Sequence, residues 1–131
     1  MLATGKRFIV NKMATIIQEM ADWAAKLKYE DIPTSVIEKT KLQAMSVFAS
    51  VFAGKEAAAS QKLLKTVKSW AVPGSSTLLT TGEKIFHHHA LFANTSLALA
   101  HDYDDYLFMG HTGHSAILIP LALAEIGRAH V

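Results

Sequence analysis

Apolar residues recur every three or four positions through most of the chain, the spacing that gathers them on one face of a helix. Ile16, Met20, Trp23, Ala24 and Leu27 mark the first such face, and Asn11 or Thr15 is placed to open a helix running to about Tyr29. Asp31 ahead of Pro33 reads as the next helix start, with proline in the first turn, where its missing amide costs nothing. Val36, Thr40, Val47, Val51 and Gly54 then trace a buried stripe ending in a glycine stop, widened by Phe48 and Phe52. A third helix is predicted over 57–70, where Leu63, Leu64, Val67 and Trp70 oppose a solvated face of Gln61, Lys62, Lys65 and Lys68.

The period then breaks. Pro73 and Gly74 interrupt the chain, a short extended segment is predicted over 77–80, and Gly82 reads as a turn glycine. A fourth helix follows over 86–100 and a last one over 116–124, which Ser115 or Thr112 would cap by accepting from its first free amides. No internal repeat or low-complexity linker is present. The expectation is an all-α chain of about five helices with one short extended segment between the third and the fourth.

Composition sharpens this picture at a few points. Half of the 131 residues are hydrophobic and only 18% are charged, which is apolar for a chain whose small size leaves proportionally more surface in water. Some apolar faces are therefore expected to meet another domain or a second subunit. The net charge is +2 and the lysines are scattered along helices, which argues against a nucleic-acid footprint. The chain has no cysteine, so disulfides and thiolate chemistry are excluded together. Its longest nearly apolar runs, 44–53 and 116–124, are too short to span a bilayer, and the start MLATGKRFIVNK lacks a signal-peptide layout. A soluble cytoplasmic protein is expected, with neither membrane nor nucleic acid as partner.

Titratable groups collect between the last two predicted helices, where His101, Asp102, Asp104, Asp105, His111 and His114 stand between two apolar runs. Such a polar seam is expensive to bury unless its charges are paired or used. Two histidines and a carboxylate can bind a divalent ion, so His101 with Asp105, joined by His111 and His114, is the stronger metal candidate. The adjacent His101 and Asp102 also suggest an HD-type metal-dependent hydrolase, although the further ligands such an enzyme needs on separate helices are not evident in the spacing. The run His87, His88, His89 points three ways around a helix and cannot converge on one ion. A surface or capping role suits it better.

The order of residues in this seam resembles the MmgE/PrpD family. Asn94 stands eight residues before Asp102, DYDD at 102–105 matches the family's DFDD, and Pro120 with LALAE at 121–125 matches the helix that follows. Upstream, WAAKLKYEDIP at 23–33 resembles the family's opening helix and turn, and SVFAG at 50–54 ends a helix where the family's LGVALAG does. There are departures as well. Leu99 stands where the family usually has histidine, Tyr106 replaces a threonine, and the family's HPS becomes GHS, with Gly113 in the histidine position and His114 in the proline position.

The resemblance implies a lyase that works without metal or organic cofactor on a small polycarboxylate. The reaction would be dehydration of a 2-hydroxy acid such as 2-methylcitrate, or decarboxylation, in a homodimer. It places Asp102, His111 and His114 as catalytic residues and Asp105, Tyr106 and Asn94 as substrate-binding residues, with no metal. The implied fold is the N-terminal part of the family's helical domain, taken here as residues 1–125. Residues 125–131 can be written in codons as GAG ATC GGA AGA GCA CAC GTC, which looks like a DNA-sequencing ligation adapter. Residues 126–131 are therefore expected to be adapter read-through, and the natural chain to continue further, with basic catalytic residues supplied from its later part. The alternatives from other classes are the metal-dependent hydrolase above and a non-catalytic helical interaction module.

Overall fold

Thr15 opens the first helix with both halves of a capping box: its hydroxyl accepts from the Gln18 amide at 3.3 Å, and its own amide donates to Gln18 Oε1 at 2.8 Å. Two amides that a helix start leaves unpaired are thus satisfied reciprocally. The computed structural model describes residues 15–70, 72–103, 105–107 and 110–127. Asn11, the other start considered, lies outside them. Helix α1 (Ile16–Lys26) ends before the expected Tyr29 because residues 28–31 make a separate 3-10 turn (Tyr29–Asp31), in which Asp31 Oδ2 accepts from the Lys28 amide at 3.2 Å. Asp31 therefore closes this turn and does not open the next helix.

The second helix, α2 (Thr34–Gly54), begins just after Pro33, whose carbonyl accepts from the amides of Val36 and Ile37 at 2.8 and 3.1 Å. The proline precedes the helix instead of lying in its first turn. Two units make up the chain, residues up to Ile37 and residues from Glu38 onward. Within the first, α1 buries none of its residues, and Ile17 and Trp23 are 78% and 65% exposed.

The second unit has its core in the later half of α2 and the elements after it: α3 (Ala58–Ser69), strand β1 (Pro73–Leu78), strand β2 (Glu83–Ile85), α4 (His87–Leu99) and α5 (Gly113–Gly127). Val47 and Val51 of α2, Leu64 and Val67 of α3, Leu78 of β1, Ala93, Leu97 and Ala98 of α4, and Leu118 of α5 form one buried cluster. The stripe read along α2 is buried at Val47, Ser50, Val51 and Gly54, whereas Val36 and Thr40 are exposed. Alternation of three and four residues continues past the point where the core ends.

Helix α4 is the central element, packed against α3, α5 and β1. Its small residues allow close approach: a Cβ at Gly54 would stand 1.9 Å from the Leu97 carbonyl oxygen, so only glycine lets the end of α2 lie against α4. The extended segment expected between the third and fourth helices is a complete antiparallel hairpin, with Thr77 opposite Lys84 and Leu78 opposite Glu83. Gly82, at φ +75, turns it. A second, two-residue hairpin, β3 (Tyr106–Leu107) with β4 (Gly110–His111), lies between α4 and α5. The chain is thus mostly α-helical, with two small β ribbons. Among the described residues no helix is long and apolar enough to cross a membrane.

Helix α5 starts earlier than the apolar run suggests, at Gly113. The Thr112 carbonyl accepts from the Ala116 amide at 2.9 Å, which makes Thr112 the residue that precedes the helix and puts Ser115 inside its first turn. Pro120 lies within α5, where it removes one helical hydrogen bond. Ala116, whose carbonyl loses that partner, is exposed, so water can replace it.

Candidate active site

The loop after α4 begins with a backbone that most residues avoid. Asp102 has φ 51, the left-handed region, and its amide donates to the Leu99 carbonyl at 3.2 Å, closing the helix end. Aspartate tolerates this region better than most side chains, but the conformation still costs about 1–2 kcal/mol relative to the right-handed one. Strain held at one polar residue is a reason to suspect function there. The side chains of His101, Asp102 and Tyr103 are exposed, with the His101 and Tyr103 rings 5.4 Å apart. Asp104 lies outside the described residues.

Asp105 turns inward. Its Oδ2 accepts from the Thr112 hydroxyl at 3.2 Å, while Oδ1 is buried above Gly113. The next residue, Tyr106, stands opposite His111 across the β3–β4 pair, and their rings meet edge to face at 5.4 Å. His111 is half-buried, as is His114 in the first turn of α5. The fold therefore brings Asp105, Tyr106, His111 and Thr112 to one place at the start of α5, with His114 on the adjoining turn.

Asn94 has a different setting. It is 5% exposed, its Oδ1 accepts from the Leu79 amide at 3.0 Å, and its Nδ2 donates to the Thr77 carbonyl at 2.9 Å. Both ends of the amide are engaged with the chain itself, tying the middle of α4 to the end of β1. Glu125, at the other end of α5, also faces this hairpin. Its carboxylate accepts from the Thr77 amide at 2.8 Å, from the Thr77 hydroxyl, and from Lys84 Nζ at 2.8 Å. Burial pushes its pKa up, but the bonds from Lys84 and Thr77 outweigh that and hold it below its ordinary value.

The histidine run opens α4. Phe86 lies against all three of its rings, and His89 also packs on Trp70 at 4.5 Å. Among the described residues no group of three His, Asp or Glu side chains is placed to hold a metal ion, so the set His101, Asp105, His111 and His114 does not assemble as a metal site.

A model of the MmgE/PrpD N-terminal domain matches residues 18–129. The chain belongs to the MmgE/PrpD family. Two curated relatives, both described as cis-aconitate decarboxylase, from Aspergillus terreus and from its strain NIH 2624, are each 25% identical over 114 residues. The match takes in 87% of this chain and 23% of each relative, so the chain spans about a quarter of their length. No solved structure matches it.

Within this MmgE/PrpD chain the packing at Gly113 is close enough to constrain what can stand there. A Cβ at Gly113 would fall 1.7 Å from Asp105 Oδ1 and 2.8 Å from Gln43 Nε2. Any side chain at position 113 and the present placement of Asp105 exclude one another. Gln43 carried no signal in the sequence, because nothing in the α2 pattern says that one polar position meets a loop some sixty residues later. Two clefts of about 330 and 360 Å³ lie elsewhere, one lined by Val67, Leu78, Lys84, Ile85 and His89, the other by Lys55, Gln61, Leu64 and Thr81. Neither is lined by a residue of the 102–114 loop.

Proposed function

We propose that this chain is the N-terminal part of a cofactor-independent MmgE/PrpD lyase acting on a small polycarboxylate, by dehydration of a 2-hydroxy acid such as 2-methylcitrate or by decarboxylation. The observation that carries this reading is the loop between α4 and α5. It holds a left-handed, exposed Asp102 and a Tyr106–His111 pair beside the half-buried His114, in a chain that belongs to the family. The related proteins named cis-aconitate decarboxylase favour an unsaturated or hydroxylated tricarboxylate as substrate class.

In this reading a histidine moves the proton, since imidazole is suited to acid and base work near neutral pH. His111 or His114 takes that role. Asp102 is repelled by a polyanion, so it accepts from a substrate hydroxyl or fixes the working tautomer of a histidine. Tyr106 donates a hydrogen bond to a substrate oxygen, and Asp105 orders the loop beneath it. Asn94, whose amide is engaged with Thr77 and Leu79, holds α4 to the hairpin. The cations that neutralise the substrate's carboxylates are contributed by a part of the enzyme beyond this quarter. Exposed Ile16, Ile17, Met20 and Trp23 are assigned to a contact with that part or with a second subunit of a cytoplasmic homodimer.

The test is turnover of a polycarboxylate panel by a polypeptide of the relatives' full length that begins with this sequence. Water release or carbon dioxide release from a citrate-like acid is expected, and its decline by about a hundredfold or more in His111→Ala or His114→Ala identifies the proton carrier. No turnover of any member of the panel refutes the proposal.

A further inference from the structure

Gln43 Nε2 and Asp105 Oδ1 are both buried, and neither has a hydrogen-bond partner among the described residues. Both stand over Gly113, within 2.8 Å of the point a Cβ would occupy there. A donor and an anionic acceptor from distant parts of the chain thus face the same small space. Leaving both unpaired away from water is costly. We propose that Gln43 is a positioning residue: its side-chain amide donates to Asp105 Oδ1 and, with the Thr112 hydroxyl on Oδ2, latches Asp105 onto α2 and the first turn of α5.

Burial decides between this role and ligand contact. The two atoms are sealed from solvent, so an incoming substrate does not reach them. Their effect passes through the chain: Asp105 precedes Tyr106, and Tyr106 pairs with His111 across β3–β4. Fixing Asp105 therefore fixes the register of the hairpin that carries two of the proposed site residues. Glycine at 113 completes the device, because a Cβ would occupy the space in which donor and acceptor meet. The catalytic meaning of the latch rests on the lyase reading, whereas its existence does not.

The experiment is made on the 131-residue chain by NMR and chemical unfolding. In the unsubstituted protein the Gln43 side-chain amide is expected to show contact with the Gly113 α protons and exchange slowed by roughly tenfold or more. Free exchange without that contact overturns the proposal, even if no variant folds. A cycle of Gln43→Glu, Asp105→Asn and the double substitution then reads the pairing. Gln43→Glu sets two carboxylates against each other and is expected to weaken folding and lose the Tyr106–His111 ring contact. The double variant exchanges donor and acceptor and is expected to restore both, with the folding equilibrium about tenfold more favourable than additivity gives. Strictly additive effects overturn the latch. Absence of turnover in a full-length enzyme, with the cycle coupled and the contact present, overturns only the lyase reading.

Discussion

Helix α5 is met at its two ends by carboxylates that are bonded in opposite ways. Glu125, in the last turn, accepts from a backbone amide, a hydroxyl and a lysine of the β1–β2 hairpin. A carboxylate near a helix C-terminus is disfavoured by the helix dipole, and Lys84 compensates for it. Asp105, at the start of the helix, has one oxygen on Thr112 and the other pressed over Gly113 without a partner among the described residues. The saturated group sits where β1 is also tied to α4 through Asn94, the arrangement expected of a fold contact. The incompletely bonded group sits beside a left-handed Asp102 and the Tyr106–His111 pair, the arrangement expected of a site. Matching residues of one family pattern thus serve different ends: the last residue of LALAE secures the fold, and the last residue of DYDD shapes the loop.

The contrast can be broken most forcefully at its secure end. Glu125→Ala removes the acceptor of three bonds and leaves the Thr77 amide without its partner, while Lys84 keeps its bond to the Thr77 hydroxyl, for an expected loss of about 2–3 kcal/mol in chemical unfolding. Next is Gly113→Ala. Its Cβ would lie 1.7 Å from Asp105 Oδ1, but the carboxylate is the end of a side chain that can rotate away, so about 1–2 kcal/mol is expected, together with loss of the Tyr106–His111 ring contact in NMR spectra. Asp102→Gly has the opposite sign. It relieves the left-handed backbone and is expected to stabilise the chain by less than about 1 kcal/mol, while abolishing turnover in the full-length enzyme.

Acid sharpens the same contrast more gently. The pKa of Glu125 is lowered on folding from its ordinary 4.5, so the ionised group contributes stability that is fully present above that value. This contribution declines as pH falls from 4.5 through the lower folded pKa. A Glu125→Gln variant is expected to start less stable at neutral pH and to lose less between pH 5 and acid, as read by unfolding midpoints across that range. The smallest effect is expected at Gly127, the last residue of α5, where a Cβ meets nothing within 4 Å. Gly127→Ala should change stability by no more than about 0.5–1 kcal/mol, in the stabilising direction.

Much of the helical fold was legible because its signals are local. Thr15, Pro33, Gly54, Trp70 and Phe86 each mark a boundary within one or two residues of where the helices lie. What escaped depends on tertiary contact. A two-residue strand such as Tyr106–Leu107 has no period to detect, and β2 offers only Glu83, Lys84 and Ile85. Gly113 lies outside the apolar run that predicted a helix over 116–124, yet it begins α5, and its lack of a Cβ leaves room for Asp105 and Gln43 over the first turn. Along α1 the apolar period was real, but the described chain provides nothing that buries it.

The candidate site was legible as a cluster and not as an arrangement. DYDD and the histidines after it located the loop, and the family model over 18–129 agrees with the resemblance they carry. Their spacing did not show that Asp105 faces inward, that Asn94 would be engaged on both sides by β1, or that Gln43 belongs to the neighbourhood. Burial of a polar atom is decided by residues far away in sequence, which a local pattern does not contain.

Turnover of a citrate-like polycarboxylate by the full-length enzyme, compared between the unsubstituted protein and Asp102→Asn, tests the role of the 102–114 loop most directly. Asparagine keeps the shape and the tolerance of the left-handed backbone, so the fold is retained and only the charge is removed. A fall in kcat/KM of about a hundredfold or more is expected, with an unchanged unfolding midpoint. Undiminished turnover in this variant would contradict the assignment of the loop as the active site.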